Sequence, residues 1–331
     1  MAERTRISQY WHPVAEADDV GPTPLAVELL GQSIVLFRNA DDEIVALRDL
    51  CVHRGAPLSM GTVVGGTLMC AYHGWRYGDD GRVVTIPCLR EGGSIPRAAR
   101  TPSYLVEERY TLVWVALEDP VLPIPDIPGE VLAEPDVHSR CWANFDWKTS
   151  AGRAVENAMD LAHFPFVHPY LLADPDAPAV LDYEIKTTPS SVSFRTGRFR
   201  YAEPGQPEAT GWAEYTHDFP FTEHLRLVEP APDGDGEVTT VLSAFHSPTA
   251  DDRTRIWRVA HKTGPFTADD DSQIDLFLKI LEQDRVIAES VRPEMIPTDL
   301  REELHLKVPD AQSVAFRQWL GTVDMLGVKL P

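Results

Sequence analysis

Short runs rich in apolar residues fill the first third of the chain. Between Leu25 and Leu117 they predict strands at AVELL, SIVLF, EIVAL, TLMCAYH, RVVTI and TLVWVAL. Turn-forming residues separate these runs, as in Asn39-Ala-Asp-Asp and Gly78-Asp-Asp-Gly. The pattern therefore predicts a small antiparallel all-β domain.

A proline-rich stretch, EDPVLPIPDIPGEVLAEP from Glu118 to Pro135, interrupts the pattern. Proline breaks helices and central strands, so we place a domain boundary in this stretch, between residues 130 and 131. Beyond it the pattern predicts antiparallel strands within Ala179–Lys262 and helices at Trp147–Leu161, Ser272–Val291 and Ala311–Leu326. We expect an α+β protein with an all-β domain over 1–130 and a sheet with packed helices over 131–331.

Composition narrows the possible functions. The 331 residues have a formal net charge of −21, which disfavours binding to nucleic acid or to acidic membranes. The N-terminal residues lack the apolar core of a signal peptide, and no apolar run is long enough to span a membrane. With only four cysteines there is no disulfide framework, so we expect a cytoplasmic protein.

Two mixed cysteine–histidine pairs, Cys51-x-His53 and Cys70-x-x-His73, lie in one glycine-rich run. Such a set binds either structural zinc or a [2Fe–2S] cluster of the Rieske type, in which two cysteines hold one iron and two histidines the other. Zinc fingers usually pair cysteine with cysteine and histidine with histidine. Because each pair here is mixed, the spacing favours the iron–sulfur cluster.

A second candidate site lies in ENAMDLAHFPFVHPY, from Glu156 to Tyr170. Two histidines near a helix end are more often structural than ligands. However, Asp160 and His163 are three residues apart and are predicted to share a helical face. Pro165 is predicted to break or kink the helix and to let His168 turn back toward His163.

The third ligand of such a site is predicted on the helix SQIDLFLKILEQDRVIAESV. Asp284 falls within an apolar stripe formed by Phe277, Ile280, Leu281, Ile287, Ala288 and Val291. A carboxylate on a core-facing stripe is costly unless it is paired or bound to metal. An ion pair with an arginine is the alternative, but two histidines and one carboxylate are typical ligands of non-haem Fe(II).

The runs CVHRGAPLSMG and CAYHGWRY, with YWHPVA and LLGQSIVLFR upstream, resemble the α subunits of Rieske non-haem iron oxygenases. The C-terminal run LHLKVPDAQSVAFRQWL resembles the vanillate and dicamba O-demethylase branch. The resemblance implies a Rieske domain and a catalytic domain of the helix-grip type. It also implies that Cys51, His53, Cys70 and His73 bind the cluster, that His163, His168 and Asp284 bind mononuclear Fe(II), and that Asp160 and Asn157 assist.

The resemblance further implies a homotrimer, in which Asp160 links His163 to His73 of the neighbouring subunit. The chain has no Rossmann glycine motif and no further ferredoxin-type cysteine run, so we expect electrons from an NAD(P)H-dependent reductase, with or without a ferredoxin. Such a partner could dock on a local basic patch; the candidate residues, which could equally be solvated surface, are Arg54, Arg76, Arg82 and Arg90.

The expected reaction is hydroxylation or oxidative O- or N-demethylation of a small aromatic substrate. Cis-dihydroxylation of an arene, a non-catalytic Rieske electron carrier and a zinc-stabilised binding protein remain alternatives. Aromatic residues of the second domain could line an apolar pocket, although each is more easily explained as core. They are Trp212, Phe219, Phe221, Phe245, His246, Trp257 and Phe277.

Overall fold

The structure is a computed structural model that describes residues 4–127, 137–176, 178, 183–203, 206–230, 237–263 and 265–325. The chain divides into two compact units. One unit is Ser8–Pro123, and the other runs from residue 124 onward and includes the segment that ends at Ile7. The predicted boundary between residues 130 and 131 lies outside the described residues, so the domain limits stay a prediction.

The unit Ser8–Pro123 contains a six-stranded antiparallel sheet and a four-stranded one. Short 3-10 helices occupy Ile7–Gln9, Ala17–Asp19 and Leu58–Met60. Numbered along the whole chain, the first strands are β1 Thr5–Arg6, β2 His12–Glu16, β3 Leu25–Leu29, β4 Gln32–Arg38, β5 Ile44–Arg48, β6 Thr62–Val64, β7 Thr67–Met69, β8 Arg76–Tyr77, β9 Val83–Thr85, β10 Ser103–Arg109 and β11 Leu112–Ala116. The strand order is β2-β11-β10-β5-β4-β3 in the six-stranded sheet and β6-β7-β8-β9 in the four-stranded one.

Both faces of the six-stranded sheet are covered. Val35 and Phe37 of β4 pack into a core that also holds Cys51 and Cys70, whereas Ile34 and Leu36 pack into a second core on the opposite face. Successive side chains of a strand point to opposite faces, so a sheet buried on both sides needs nearly continuous apolar runs. This explains why SIVLF and EIVAL, two of the predicted strands, show so little alternation.

The second unit contains a seven-stranded antiparallel sheet. Its elements are β12 Val137–Trp147, α1 Ala151–Met159, α2 Phe164–Val167, β13 Lys186–Thr187, β14 Ser191–Glu203, β15 Gln206–Asp218, β16 Thr222–Pro230, β17 Glu237–Ala250, β18 Arg253–Thr263, α3 Ala268–Ala288, α4 Ala311–Leu320 and β19 Val323–Asp324. The strand order of the sheet is β12-β18-β17-β16-β15-β14-β13, and β1 pairs in parallel with β19. The fold class predicted from the sequence, an all-β domain followed by an antiparallel sheet with few helices, is confirmed.

The first predicted helix is shorter than its pattern suggested. Trp147 ends strand β12 rather than beginning a helix. Helix α1 begins only at Ala151, because the Ser150 side chain accepts a hydrogen bond from the Arg153 N–H and caps the helix. It ends at Met159, and Asp160, the C-cap residue, is already extended.

Helix α3 begins earlier than predicted, at Ala268, where Thr267 and Asp270 form a capping box. Ile280, Leu281, Asp284 and Ala288 are buried on its core-facing stripe, as predicted. Ile287, also predicted to be in the stripe, is 45% exposed because it lies at the edge of the stripe in the last helical turn. No helix among the described residues is long and apolar enough to cross a membrane.

Candidate metal centres

Two loops with the same backbone geometry carry the cysteine–histidine pairs. In the first, the Cys51 N–H donates to the Ala56 carbonyl and the Cys51 carbonyl accepts from the Gly55 N–H, both at 2.8 Å. In the second, Cys70 makes the equivalent bonds to Trp75 and Gly74, at 2.9 and 3.0 Å.

Both loop glycines lie four residues after the cysteine and have positive φ, 72° for Gly55 and 70° for Gly74. Glycine adopts this left-handed conformation without the steric cost that a side chain brings. The glycines therefore allow each loop to fold back on its cysteine. Strand β7 was predicted to continue to His73, but it ends at Met69 because the second loop begins there.

The side chains of these loops fit a Rieske cluster. The Cys51 and Cys70 side chains are buried, and the rings of His53 and His73 have centroids 4.5 Å apart. His53 stacks on Trp75, and its buried Nδ1 has no hydrogen-bond partner among the described residues. Two inner thiolates and two outer imidazoles are the donor set of a [2Fe–2S] cluster of this type.

The surroundings of Cys70 favour the neutral thiol, so cation binding would be needed to favour its thiolate. Burial raises the pKa of the Cys70 thiol, and the neighbouring Cys51 raises it further, against backbone hydrogen bonds that lower it. The Tyr77 hydroxyl donates a hydrogen bond to Cys51 Sγ at 3.1 Å and accepts one from the Val52 N–H. No sequence pattern indicated this role of Tyr77, which lies beyond the cysteine–histidine motif.

The second candidate centre lies where α1 ends, at α2 and on α3. His163 Nε2 and His168 Nε2 lie 3.2 and 2.9 Å from Asp284 Oδ1. One ligand atom from each of the three residues lies within 4.8 Å of the others. The predicted histidines and carboxylate are therefore brought together, and the set has the chemistry of a non-haem iron site.

The route by which the chain makes this site differs from the prediction. Asp160 and His163 do not share a helical face, because Asp160 is the extended residue that caps the end of α1 and His163 precedes α2. Pro165 does not kink a continuous helix either; it lies in the first turn of α2, where proline is tolerated. Asp160 Oδ2 nevertheless lies 3.1 Å from His163 Nδ1, because its other oxygen accepts from the Ala162 N–H and fixes the turn.

Neighbouring polar groups orient the three side chains. His168 Nδ1 lies 2.8 Å from Gln283 Oε1, an acceptor, which would hold the proton of a neutral imidazole on Nδ1 and leave Nε2 for a metal ion. Asn157 Nδ2 lies 3.5 Å from Asp284 Oδ1. Sequence reasoning missed Gln283, since it occupies an exposed position of α3 that periodicity does not distinguish.

The electrostatics of this centre favour a bound cation. Burial acts to raise the pKa of Asp284, but the adjacent imidazoles of His163 and His168 lower it to about 2. Burial likewise opposes protonation of His163, but the neighbouring carboxylates of Asp160 and Asp284 raise its pKa to about 9. His163 Nε2 is buried without a well-directed hydrogen bond among the described residues. The residues present fit a divalent metal.

The other predicted residues are spread over the two units. Arg76 bonds to Thr67 and to the Val64 carbonyl, and Arg82 pairs with Asp80 at 3.2 Å, whereas Arg54 and Arg90 are exposed. Phe277 packs with Leu161 and Phe164 beside the histidines. Most of the remaining aromatic residues belong to the core, which agrees with the alternative that they are structural rather than pocket residues. These residues are Trp212, Phe219, Phe221, Phe245 and Trp257.

Both parts of the chain match known protein families. Residues 10–105 match the Rieske [2Fe-2S] domain, and residues 147–323 match the vanillate O-demethylase oxygenase C-terminal domain. The methylxanthine N1-demethylase NdmA of Pseudomonas putida is 30% identical over 96% of this chain and 89% of its own length. Its structure with caffeine has a TM-score of 0.81 at 28% identity and covers 95% of this chain and 90% of that one.

Two further comparisons are informative. The vanillate O-demethylase oxygenase subunit of a Pseudomonas strain is 33% identical over 48% of this chain and 44% of its own length. Dicamba monooxygenase bound to dicamba shares the fold, with a TM-score of 0.76 at 21% identity over 96% of this chain and 98% of that one.

A Rieske domain joined to a sheet-and-helix domain with a histidine–carboxylate centre defines an iron-dependent oxygenase. The chain belongs to the Rieske non-haem iron oxygenases, as an α subunit of the vanillate O-demethylase branch. It is an oxidoreductase that incorporates oxygen from O2, with a [2Fe–2S] cluster and a mononuclear iron as cofactors. Two of its relatives are named as an oxygenase subunit and an oxygenase component.

Proposed function

We propose that this oxygenase removes methyl groups from nitrogen or oxygen of a small aromatic substrate. The observation that carries the proposal is the convergence of His163, His168 and Asp284 within 4.8 Å, in a chain that aligns along nearly its whole length with an N-demethylase. The methyl C–H bond is hydroxylated with O2, two electrons and two protons, which gives the hydroxymethyl compound and water. That compound then splits into formaldehyde and the demethylated product.

In this proposal His163, His168 and Asp284 hold Fe(II), which supplies the oxygen chemistry when bound. Asp160 and Gln283 orient the two imidazoles through Nδ1 and keep Nε2 free for the metal. Asn157 donates toward Asp284 and limits its rotation. Cys51, His53, Cys70 and His73 hold the cluster that stores the incoming electron.

We also infer the assembly and the setting. Head-to-tail contacts in a homotrimer would bring His73 of one subunit beside Asp160 of the next, closing a ring. The exposure of His73 and the 31% exposure of the Asp160 side chain support this pairing. We place the protein in the cytoplasm, with an NAD(P)H-dependent reductase and, in some systems, a ferredoxin that docks near Arg54. The Rieske domain is proposed to span 1–130 and the catalytic domain 131–331.

Metal and product analysis tests the proposal. Anaerobically purified protein should contain three irons and two sulfides per chain, and with a reductase it should release formaldehyde from an N- or O-methylated aromatic compound. The matched control is the same protein without reductase, which should release none. Two irons per chain, or oxygenated product with no formaldehyde from any methylated compound, would contradict the demethylase proposal.

A further inference from the structure

A row of polar side chains crosses the face of the seven-stranded sheet that carries the packed helices. His217 of β15 pairs with Glu223 of β16, Glu223 with Ala244 of β17, and Ala244 with Arg258 of β18. Directly paired residues lie on the same face of a sheet. His246, two residues beyond Ala244, lies on that face as well. We call His217, Glu223, His246 and Arg258 the polar row.

The polar row lies between two apolar clusters. On one side of the row, Leu225 follows Glu223 by two residues and is paired with Leu242. Both leucines belong to a cluster that also holds Phe277 of α3. In the other direction Ile256, the partner of His246, packs with Ala288 of α3. Because Phe277 and Ala288 flank Asp284 on the buried stripe of one helix, the polar row and the iron-site carboxylate lie between the same two clusters.

Most polar atoms of this row lack a close partner. Glu223 Oε2 lies 3.8 Å from His246 Nε2 and 3.7 Å from Arg258 Nη1, beyond normal hydrogen-bond length. Both ring nitrogens of His217 and of His246 are buried and make no hydrogen bond to any residue that the structure describes. Buried polar groups are normally satisfied, so the four unpartnered ring nitrogens point to a hydrogen-bonding ligand on this face.

The charges of the polar row cancel. Burial opposes ionisation of Glu223, but His246 and Arg258 hold its pKa below the usual value, so it is the counter-ion of Arg258. Burial lowers the pKa of His217 to about 4 and also lowers that of His246, which leaves both imidazoles neutral near pH 7. Each neutral imidazole offers one donor and one acceptor.

No other cation in the described part of this face is free to balance a substrate anion. Lys262 pairs with Asp270 at 3.0 Å, and Arg140 pairs with Asp271 at 2.8 Å. A carboxylate placed against the polar row would therefore be buried beside Glu223 without its own counter-ion, which is strongly unfavourable. An uncharged group with both donors and acceptors meets no such penalty.

We propose that the polar row binds the substrate of this oxygenase and selects an uncharged compound with amide-, lactam- or urea-type groups over a carboxylate. The inference rests on the proposed function, since it names the substrate class of that same site. The ring carbonyl and N–H groups of such a compound would bond to the imidazoles and to Arg258, while its methyl group is directed toward the helices that carry the iron ligands.

Equilibrium binding to the iron-loaded protein tests the proposal with two compounds of nearly equal shape, 4-methoxybenzamide and 4-methoxybenzoate. The wild-type protein should bind the amide at least about 10-fold more tightly, the factor that 1.4 kcal/mol corresponds to. Glu223→Gln removes the counter-ion of Arg258 and should shift the ratio toward the benzoate by about 10-fold or more. Glu237→Gln, an exposed change at the start of β17, should keep the wild-type ratio.

Equal or tighter binding of the benzoate by the wild-type protein, no binding of the amide, or an unchanged ratio in folded Glu223→Gln would overturn the inference. The comparison of the two compounds in the wild-type protein remains a test even if Glu223→Gln fails to fold. His217→Asn is a second variant, and it should bind the amide more weakly than the wild-type protein does. Formaldehyde release is measured in parallel. Amide selectivity without formaldehyde contradicts only the proposed reaction, whereas formaldehyde with a preference for the benzoate contradicts only this inference.

Discussion

The two candidate metal centres of this oxygenase are built in different ways. The proposed cluster ligands come from two loops that lie within 23 residues, Cys51 to His73, and that repeat one backbone hydrogen-bond pattern. The proposed mononuclear site takes Asp284 from a helix more than a hundred residues beyond His168. A site made of adjacent loops depends on local turn chemistry, whereas the second depends on how α3 packs against α1 and α2. The following predictions test this contrast.

The largest effect is expected from Asp284→Ala. Removing this carboxylate leaves two imidazoles without an anionic ligand, so the mononuclear iron should be lost and turnover should fall by more than about 100-fold. The cluster, built by loops remote in sequence, should keep its visible absorption. Iron and sulfide analysis of the purified variant checks this. Loss of the cluster as well would show that the two centres do not form independently.

Asp160→Asn comes next. The amide keeps the shape of the side chain but loses the charge that orients His163, so turnover should fall by about 10- to 100-fold while both metals remain. Single-turnover kinetics with a pre-reduced cluster measure the change. Activity near that of the wild-type protein would remove Asp160 from the electron path.

Gln283→Leu tests an orienting contact that only the tertiary structure shows. Loss of the acceptor at His168 Nδ1 should weaken iron binding by about 10-fold. The matched control is Glu282→Gln, which changes an exposed neighbour that pairs with Arg285. Titration of the apoprotein with Fe(II), measured by calorimetry, compares the iron affinities of the two variants. Equal affinities would mean that Gln283 does not position His168.

Tyr77→Phe is the corresponding change at the cluster. The hydroxyl donates to Cys51 Sγ and withdraws electron density from the sulfur, so its loss should lower the reduction potential without loss of iron. Protein-film voltammetry measures the potential, with Tyr72→Phe as the exposed control. A higher potential in Tyr77→Phe than in the wild-type protein would contradict the assigned direction.

The smallest effect concerns stability in acid. A hydrogen bond from Arg153 is the main cause that lowers the pKa of Glu303 from 4.5 to about 2. Burial opposes this change, and a hydrogen bond from Arg317 adds to it. Because the folded-state pKa is depressed, this stabilisation is present above about pH 4.5 and is lost as the pH falls toward 2. In Glu303→Gln the free energy of unfolding should fall less between pH 5 and about pH 3 than in the wild-type protein. Identical pH profiles would argue against this contribution.

Much of the candidate chemistry could be read from the sequence. The spacing of Cys51, His53, Cys70 and His73 carries the cluster motif, because both loops are local. Helical periodicity was also sufficient to predict that Asp284 lies on the buried stripe of its helix. Helix ends were less predictable, since capping by Ser150 and Thr267 decides them over a few residues.

The sequence by itself determined two metal-binding motifs and an α+β architecture, since ligand spacing and apolar periodicity are properties of short segments. Only the tertiary structure decided that Asp160 reaches His163 through a turn rather than along a helix, and that Gln283 orients His168. It also decided that four polar residues from four strands lie in one row, because strand register joins residues that are far apart in the chain.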